Sequence, residues 1–283
     1  MENSTITKQD VAMIKEWISK ESYLPQDIDD FMLWKFLNSC YGSLEATKKC
    51  IERFATGRAS MKEIYTSRDP FSEQVKTAFS ITSVATYEAG KFEMLIHQLD
   101  DPALEKFSFY DLLKSFTIQA DYWLRNHQYK EFPEGHIIVL DIKDYHLKII
   151  TKVNIMYFRD FLLFLLESMP VRVKQVHVVN CPSYYEKLYA LVKPILPAEI
   201  NDIIKFHGDS EGISKYVDKK YLPKDYGGEA SCLKDEQKVW VDAINEKRSM
   251  FLNDSLWTAD SKKKPKSNAD QTMNGSFRTL AID

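Results

Sequence analysis

The stretch GHIIVLDI, residues 135–142, is almost continuously apolar and only eight residues long. A strand with one wet face alternates between apolar and polar side chains. A short run that is apolar on both faces belongs to a strand covered on both sides, which is the habit of parallel sheets. QVHVVN, residues 175–180, repeats the pattern. Between the two lies ITKVNIMYFRDFLLFLLESM, residues 150–169, a long helical pattern stopped by Pro170. Strand, helix and strand over roughly 45 residues is the size of one βαβ crossover, so a parallel pair is expected here.

Working outward, KFEMLIHQL (91–99) alternates as a strand, and FSFYDLLKSFTIQADYWLRNH (107–127) spaces Leu112, Phe116, Gln119 and Trp123 along one helix face. Residues up to about 65 read as helices. Thr7 with Asp10 has the form of a capping box opening an amphipathic run through Val11, Ile14, Trp17 and Ile18. DIDDFMLWKFLNSC (27–40) gives a second helix, and SLEATKKCIERFATGRASM (43–61) a third with Leu44, Thr47, Ile51 and Phe54 on one face. SRDPFSEQ (67–74) reads as a connector. Beyond the second buried strand, SYYEKLYALVKPIL (183–196) and LPAEINDIIKFHG (196–208) add helical material, and YLPKDYGG (221–228) is a punctuated stop. The polar end from 258, with Lys262, Lys263, Lys264 and Lys266 clustered, reads as a disordered, solvated tail.

Of the 283 residues 44% are hydrophobic and 28% charged, an ordinary globular balance, and the net charge of −3 gives no global electrostatic case for nucleic acid. The longest strongly apolar run, residues 161–166, is far short of a bilayer span. Cys40, Cys50, Cys181 and Cys232 form no CxxC pair and no zinc-ligand pattern, so free thiols, no metal and a cytoplasmic setting are expected. Among nine glycines none forms a nucleotide-cradling motif, and there is no GxSxG or HExxH. His177 and Cys181, four apart on one strand, are separated by about 13 Å, whereas a thiolate–imidazole pair needs about 3 Å. No enzyme and no cofactor are therefore expected.

Three features stay open on these grounds. His136 opens a buried strand either as a satisfied polar group or as a cavity residue; Asp141 fits a structural carboxylate at a strand end. Arg172 and Lys174, two apart on one face of SMPVRVKQVHVVNCP (168–182), either hold a phosphate together or merely decorate a strand entrance. Ile200, Ile203, Ile204 and Phe206 give a short helix whose apolar face either packs on the core or covers a cavity.

Taken in order, FMLWKFLNSCYGSLEATKKCIERF (31–54), GHIIVLDI, SMPVRVKQVHVVNCP, VKPILPAEINDIIKFHG (192–208) and YLPKDYGG resemble the CRAL-TRIO lipid-transfer proteins, with the tocopherol-transfer and retinaldehyde-binding branch most similar. The resemblance covers residues 30–228. It implies an α/β fold in which an N-terminal helical bundle (1–75) sits beside a CRAL-TRIO domain (85–230), with a helical extension (231–257) and the tail (258–283). A mainly parallel sheet floors a lipid pocket closed by a helical gate. Carried over, the pocket is lined by Ile118, Tyr122, His136, Ile138, Leu140, Phe161, Phe164, Leu165, Val176 and Val178, with Leu191, Ile195, Leu196 and Ile200 on the gate side. The gate itself is Ile195, Leu196, Ile200, Ile203, Ile204 and Phe206. Tyr122 and His136 are the implied hydrogen-bonding partners of the ligand. Arg172 and Lys174 match basic positions that hold a phosphoinositide head group, while further family cations fall on Cys40, Glu199 and Ile203, with Lys193 and Lys205 nearby. The implied function is binding of one hydrophobic ligand, an isoprenoid of tocopherol, retinoid or carotenoid type, and its transfer between membranes. The alternative is a phospholipid- or phosphoinositide-sensing signalling module.

Overall fold

The computed structural model describes residues 6–125 and 132–265. Helix α1 (Lys8–Lys20) begins with the capping box read from the sequence: the Asp10 N–H donates to the Thr7 hydroxyl, and the Asp10 carboxylate accepts the Thr7 N–H. Two backbone donors that a helix start leaves without partners are thereby satisfied. Helix α2 (Asp30–Ser39) is capped by Asp29, and α3 (Leu44–Ser60) by Ser43. Between them Tyr41 and Gly42 take φ of 54° and 77°, a left-handed pair that ends α2 and turns the chain back. As expected, α3 buries Thr47, Ile51 and Phe54, and it also buries Arg58. A single turn, α4 (Lys62–Tyr65), follows.

The connector then departs from expectation. Helix α5 (Glu73–Ile81) runs directly into a strand, β1 (Thr82–Ala89), which folds back through Gly90 (φ 68°) as a hairpin with β2 (Phe92–Leu99). The strand TSVATYEA is built largely from small residues without a clear alternation. Its pairing with β2, and cover from the C-terminal helix, make it a strand.

Helix α6 (Phe109–Leu124) leads to β3 (Gly135–Asp141), α7 (Ile155–Ser168) to β4 (Val173–Val179), and α8 (Tyr185–Val192) with α9 (Ala198–Ile203) to β5 (Ile204–Phe206). The sheet order is β1-β2-β3-β4-β5, antiparallel at β1/β2 and parallel elsewhere. The α/β class and the expected parallel pair hold. Two boundaries move. The helix expected from residue 150 starts at 155, because the Asn154 side chain accepts the Tyr157 N–H, and residues Leu147–Lys152 form a separate 3-10 turn. Ile204 and Phe206, expected on the gate helix, lie on β5, since Ile204 turns extended (φ −79°, ψ 132°) and pairs alongside Val176. Helices α10 (Leu233–Glu246) and α11 (Arg248–Phe251) form the C-terminal extension. The tail does not become solvated at 258. The Ala259 N–H donates to the Ala55 carbonyl and the Asp260 N–H to the Tyr23 carbonyl, pinning the chain to the N-terminal region, and Lys264 pairs with Glu52 at 3.6 Å. Lys266 and the rest of the expected tail lie outside the described residues.

Two cores flank the sheet. One joins α1–α3 to α6, α7 and α10; the other packs Met94, Ile96, Ile137, Val139 and Val179 beneath Ile213, Leu222 and Tyr226. A buried ionic cluster sits in the first. Arg58 donates two hydrogen bonds to Asp121 (2.8 and 2.7 Å) and one to the Leu256 carbonyl, and Arg68 donates to the same carboxylate. All three side chains are at most 1% exposed. Burial by itself would raise the Asp121 carboxyl, but Arg58 and Arg68 outweigh it and hold the group below its ordinary value. The stability this contributes is therefore complete above the unfolded carboxylate pKa and is lost as acid protonates the folded group. Asp121→Leu leaves Arg58 and Arg68 buried without a counter-ion and is expected to cost about 3–5 kcal/mol in urea unfolding, with part recovered when Arg58 and Arg68 are also made apolar. Equal losses in the single and triple replacements would contradict this account.

Candidate functional site

In a strand the side chains alternate, so aligned positions on neighbouring strands form rows on one face. The register builds two such rows. Leu95, Ile138, Val176 and Ile204 align across β2 to β5, and His97, Leu140, Val178 and Phe206 form the next row. At one end Phe116 of α6 meets the His97 ring (6.0 Å between centroids) and Phe161 of α7 (6.0 Å). Along the rest the face joins neither core, although Val176 and Val178 are covered, each 8% exposed. Ile138, Leu140, Val176 and Val178 join neither of the two cores, and Leu140 is 36% exposed although strands flank it on both sides.

The cover is as incompletely packed as the floor. Neither α8 nor α9 buries a single residue, and Leu191, Ile195, Leu196, Ile200 and Ile203 also stand outside both cores. The pair is nonetheless held as a unit. The Asn201 amide donates to the carbonyls of Leu196 (3.1 Å) and Pro197 (3.2 Å), and the Tyr189 hydroxyl donates to Asn201 Oδ1 (2.7 Å). Tyr185 and Tyr189 rest on Phe206 at 4.9 and 4.8 Å, which seats α8 over the β5 end of the floor. Phe206 thus belongs to the floor and supports the cover.

Other inferred lining residues are placed elsewhere. Phe164 turns to the N-terminal helices, where it stacks on Phe54 of α3 (6.1 Å) and meets Tyr65 of α4 (5.8 Å). Leu165 is half-buried against the first core, and Ile118 is fully buried within it. Tyr122 packs edge-on against Trp240 with Lys247 above its ring, on the C-terminal helix rather than the floor. His136 is engaged at both ring nitrogens: Nδ1 accepts the Arg172 N–H (3.0 Å), and Nε2 faces Glu93 at 3.5 Å. Glu93 also accepts Trp123 Nε1–H, and Lys35 donates to the Trp123 carbonyl, with burial pushing that amine down to about 8. This satisfied cluster joins α2 to the sheet, and it leaves His136 no nitrogen for a ligand.

The polar group on the floor is instead His97, which was not among the expected site residues. The alternation of KFEMLIHQL puts it two residues from Leu95 on the same face, a signal that was available once that strand was recognised. Burial pushes its imidazole down to about 4, so it is neutral at pH 7.

At the rim, Arg172 and Lys174 converge on Tyr41. The Arg172 guanidinium lies over the Tyr41 ring at 3.9 Å and donates to the Asn38 carbonyl; Lys174 Nζ donates to the Tyr41 hydroxyl at 2.9 Å. Lys205 does not join them: it aligns with His177, and its cation sits over the Tyr216 ring at 4.8 Å. The other open readings resolve as structure. Asp141 accepts hydrogen bonds from Gln98, Tyr226, Asn180 and the Lys143 N–H. His177 pairs with His207 at 2.9 Å, and Cys181 donates to the Val178 carbonyl. No helix among the described residues is long and apolar enough to cross a membrane.

An apolar sheet face left unpacked beneath a helical cover is the architecture of an α/β lipid-binding fold. The chain carries a CRAL/TRIO domain: residues 93–228 match that domain, and residues 3–75 match the Pinta-like UBA domain. The family binds hydrophobic lipid ligands. Among relatives, the chain is 22% identical to the mouse (Mus musculus) α-tocopherol transfer protein-like protein over 80% of its own length and 66% of the relative's. It is 26% identical to rat (Rattus norvegicus) clavesin-1 over 43% of its length and 34% of that protein. The crystal structure of Sfh5 superposes with a TM-score of 0.50 at 10% identity, covering 87% of this chain and 99% of that one, a likeness of fold.

A histidine whose folded pKa lies near 4 binds fewer protons than the unfolded chain between about pH 4 and 6.5, so it destabilises the fold progressively as pH falls through that window. His97→Phe is expected to remove up to about 3 kcal/mol of this acid sensitivity, read from urea unfolding at pH 7 and pH 4.5. An unchanged pH dependence would show that the imidazole is not buried as described.

Proposed function

We propose that this chain binds a single hydrophobic ligand between the floor and the α8–α9 cover and transfers it between membranes. One observation carries the reading: the floor residues Ile138, Leu140, Val176 and Val178, and Leu191, Ile195, Leu196, Ile200 and Ile203 of the cover, pack into neither core. Apolar surface left in that state is worth roughly 25 cal/mol per Å² to whatever ligand removes it from water. Leu191, Ile195, Leu196, Ile200 and Ile203 act as the gate, moving with the unit clipped by Asn201. An isoprenoid of tocopherol, retinoid or carotenoid type is the preferred ligand. An apolar skeleton with one hydroxyl or carbonyl suits a floor whose polar group is a neutral His97, and relatives named α-tocopherol transfer protein-like support the choice. The protein works in the cytoplasm with transient visits to membrane surfaces, and no catalytic step is required.

Phosphoinositide-assisted docking through Arg172 and Lys174 is part of this proposal. An anionic head group would compete with Tyr41 for both cations, Lys174 being the more exposed. Because Tyr41 closes α2, such competition is felt by the N-terminal helices, and this favours a sensing module as the second reading.

Organic extraction and mass spectrometry of the purified protein, followed by vesicle-to-vesicle transfer of a fluorescent tocopherol, tests the proposal. Leu140→Trp fills the floor and is expected to reduce uptake at least tenfold with little loss of stability. Lys174→Ala is expected to slow transfer from phosphoinositide-containing vesicles about threefold while leaving uptake unchanged. Uptake without transfer supports the sensing module; no uptake of any offered isoprenoid or phospholipid overturns both.

A further inference from the structure

Two of the cysteines meet across the N-terminal helices. Cys40 ends α2 and is half-buried, while Cys50 lies in the second turn of α3 and is buried. Between them the chain turns back at Tyr41 and Gly42, and the Ser43 N–H donates to the Cys40 carbonyl (3.0 Å). This brings the Cys40 sulfur onto the α3 face that carries Thr47 and Cys50, within hydrogen-bonding reach of the Cys50 thiol. Cys50 has one proton for two acceptors, the Ser168 carbonyl (3.4 Å) and the Cys40 sulfur, and an ionised sulfur is the stronger of the two.

The two thiols differ in character. The Cys50 hydrogen bond, with the Arg172 guanidinium nearby, outweighs burial and holds the Cys40 thiol down to about 6, so it is chiefly thiolate at pH 7. Cys50 is pushed up by its bond to Cys40, by burial and by the Cys40 charge. A half-buried thiolate beside a cation is the reactive kind of cysteine, and a protonated second cysteine in contact with it is placed to resolve its oxidised form. Cys181 follows β4 and is pushed up by burial, and Cys232 precedes α10, so both lie on other elements of the fold.

We propose that Cys40 and Cys50 are a peroxide-reactive pair that closes to a disulfide and fastens the end of α2 to α3. The Cys40 thiolate attacks one oxygen of hydrogen peroxide. The O–O bond breaks, an S–O bond forms, and the second oxygen leaves as hydroxide, which takes a proton from solvent; Cys40 becomes a sulfenic acid, oxidised by two electrons. The Cys40 charge is then gone, and with it an influence that held the proton on Cys50. The Cys50 sulfur attacks the Cys40 sulfur, the S–S bond forms, the S–O bond breaks, and the departing hydroxide leaves with the Cys50 proton as water. Tyr41, on which Arg172 and Lys174 rest, is the next residue, so the cross-link falls at the rim. It uses no residue of the floor or the gate and stands whatever ligand the main cavity takes.

The test treats the full, reduced chain with hydrogen peroxide in native buffer and maps its cysteines by mass spectrometry without reduction. An intramolecular cross-link between the Cys40 and Cys50 peptides is expected, lighter by two hydrogens, reversed by dithiothreitol and formed with no change in far-ultraviolet circular dichroism. Alkylation of Cys40 by iodoacetamide should reach half its plateau rate at about pH 6. Cys50→Ser is expected to stop at the sulfenic acid, trapped by dimedone on Cys40, and Cys40→Ser to slow peroxide consumption about tenfold. Cross-links to Cys181, Cys232 or a second chain, dimedone on Cys50 ahead of Cys40, or both thiols still alkylated after excess peroxide would each overturn the proposal. Should a serine variant fail to fold, the cross-link map and the alkylation profile of the unaltered chain decide alone.

Discussion

The carboxylate of Asp121 is the point on which three parts of the chain meet. It comes from α6, inside the α/β domain, and it neutralises Arg58 of α3 and Arg68 of the connector, while Arg58 also holds the Leu256 carbonyl of the C-terminal extension. The two guanidiniums are tolerated at this depth only with the carboxylate between them, because removal of Asp121 leaves uncompensated cations in a low-dielectric interior. The constraint is geometric as well as energetic. It fixes α6 against the helical bundle, and α6 in turn brings Phe116 to the His97 end of the floor. The end of the floor nearest α6 is therefore rigid, whereas the end beneath α8 and α9 has no such anchor.

That asymmetry separates what is packed from what is open. One sheet face is closed by Ile213, Leu222 and Tyr226 and locked at its strand ends by Asp141, which gathers Gln98, Asn180 and Tyr226. The other is packed only beside α6 and α7. A cover that buries no residue of its own meets the first core only through the half-buried Leu188, and the contacts of Tyr185 and Tyr189 on Phe206 seal it to the β5 end of the floor.

Much of the fold was legible in short runs. The doubly apolar strands at 135–142 and 175–180 announced a parallel pair, and Thr7 with Asp10 announced a cap, because each signal is local and tied to one backbone geometry. The failures came where a partner decides. TSVATYEA became an edge strand through β2 and α10, and the isoleucine pair at 203–204 divided between a helix end and a strand because β4 offered Ile204 a register. Among candidate site residues, Ile138, Leu140, Val176 and Val178 fell together by alternation. Phe164, Tyr122 and His136 were drawn off by Phe54, Trp240 and Glu93, none of which is near in sequence. His97 is readable from its own strand, because alternation places it on the face of Leu95.

By itself, then, the sequence determined the α/β class, the helical N-terminus, the parallel strand pair, the apolar character of floor and cover, and the CRAL/TRIO domain. These follow from periodicity, capping and motif order, which are written within one or a few dozen residues. Only the tertiary structure decided which apolar residues remain unpacked, which polar groups are satisfied, and where Arg172 and Lys174 direct their charge. Those outcomes depend on residues 30 to 200 positions apart meeting in space: Tyr41 with Lys174, Arg58 with Leu256, Gln237 with Val84. A cavity is the absence of such a meeting, and no local pattern records an absence.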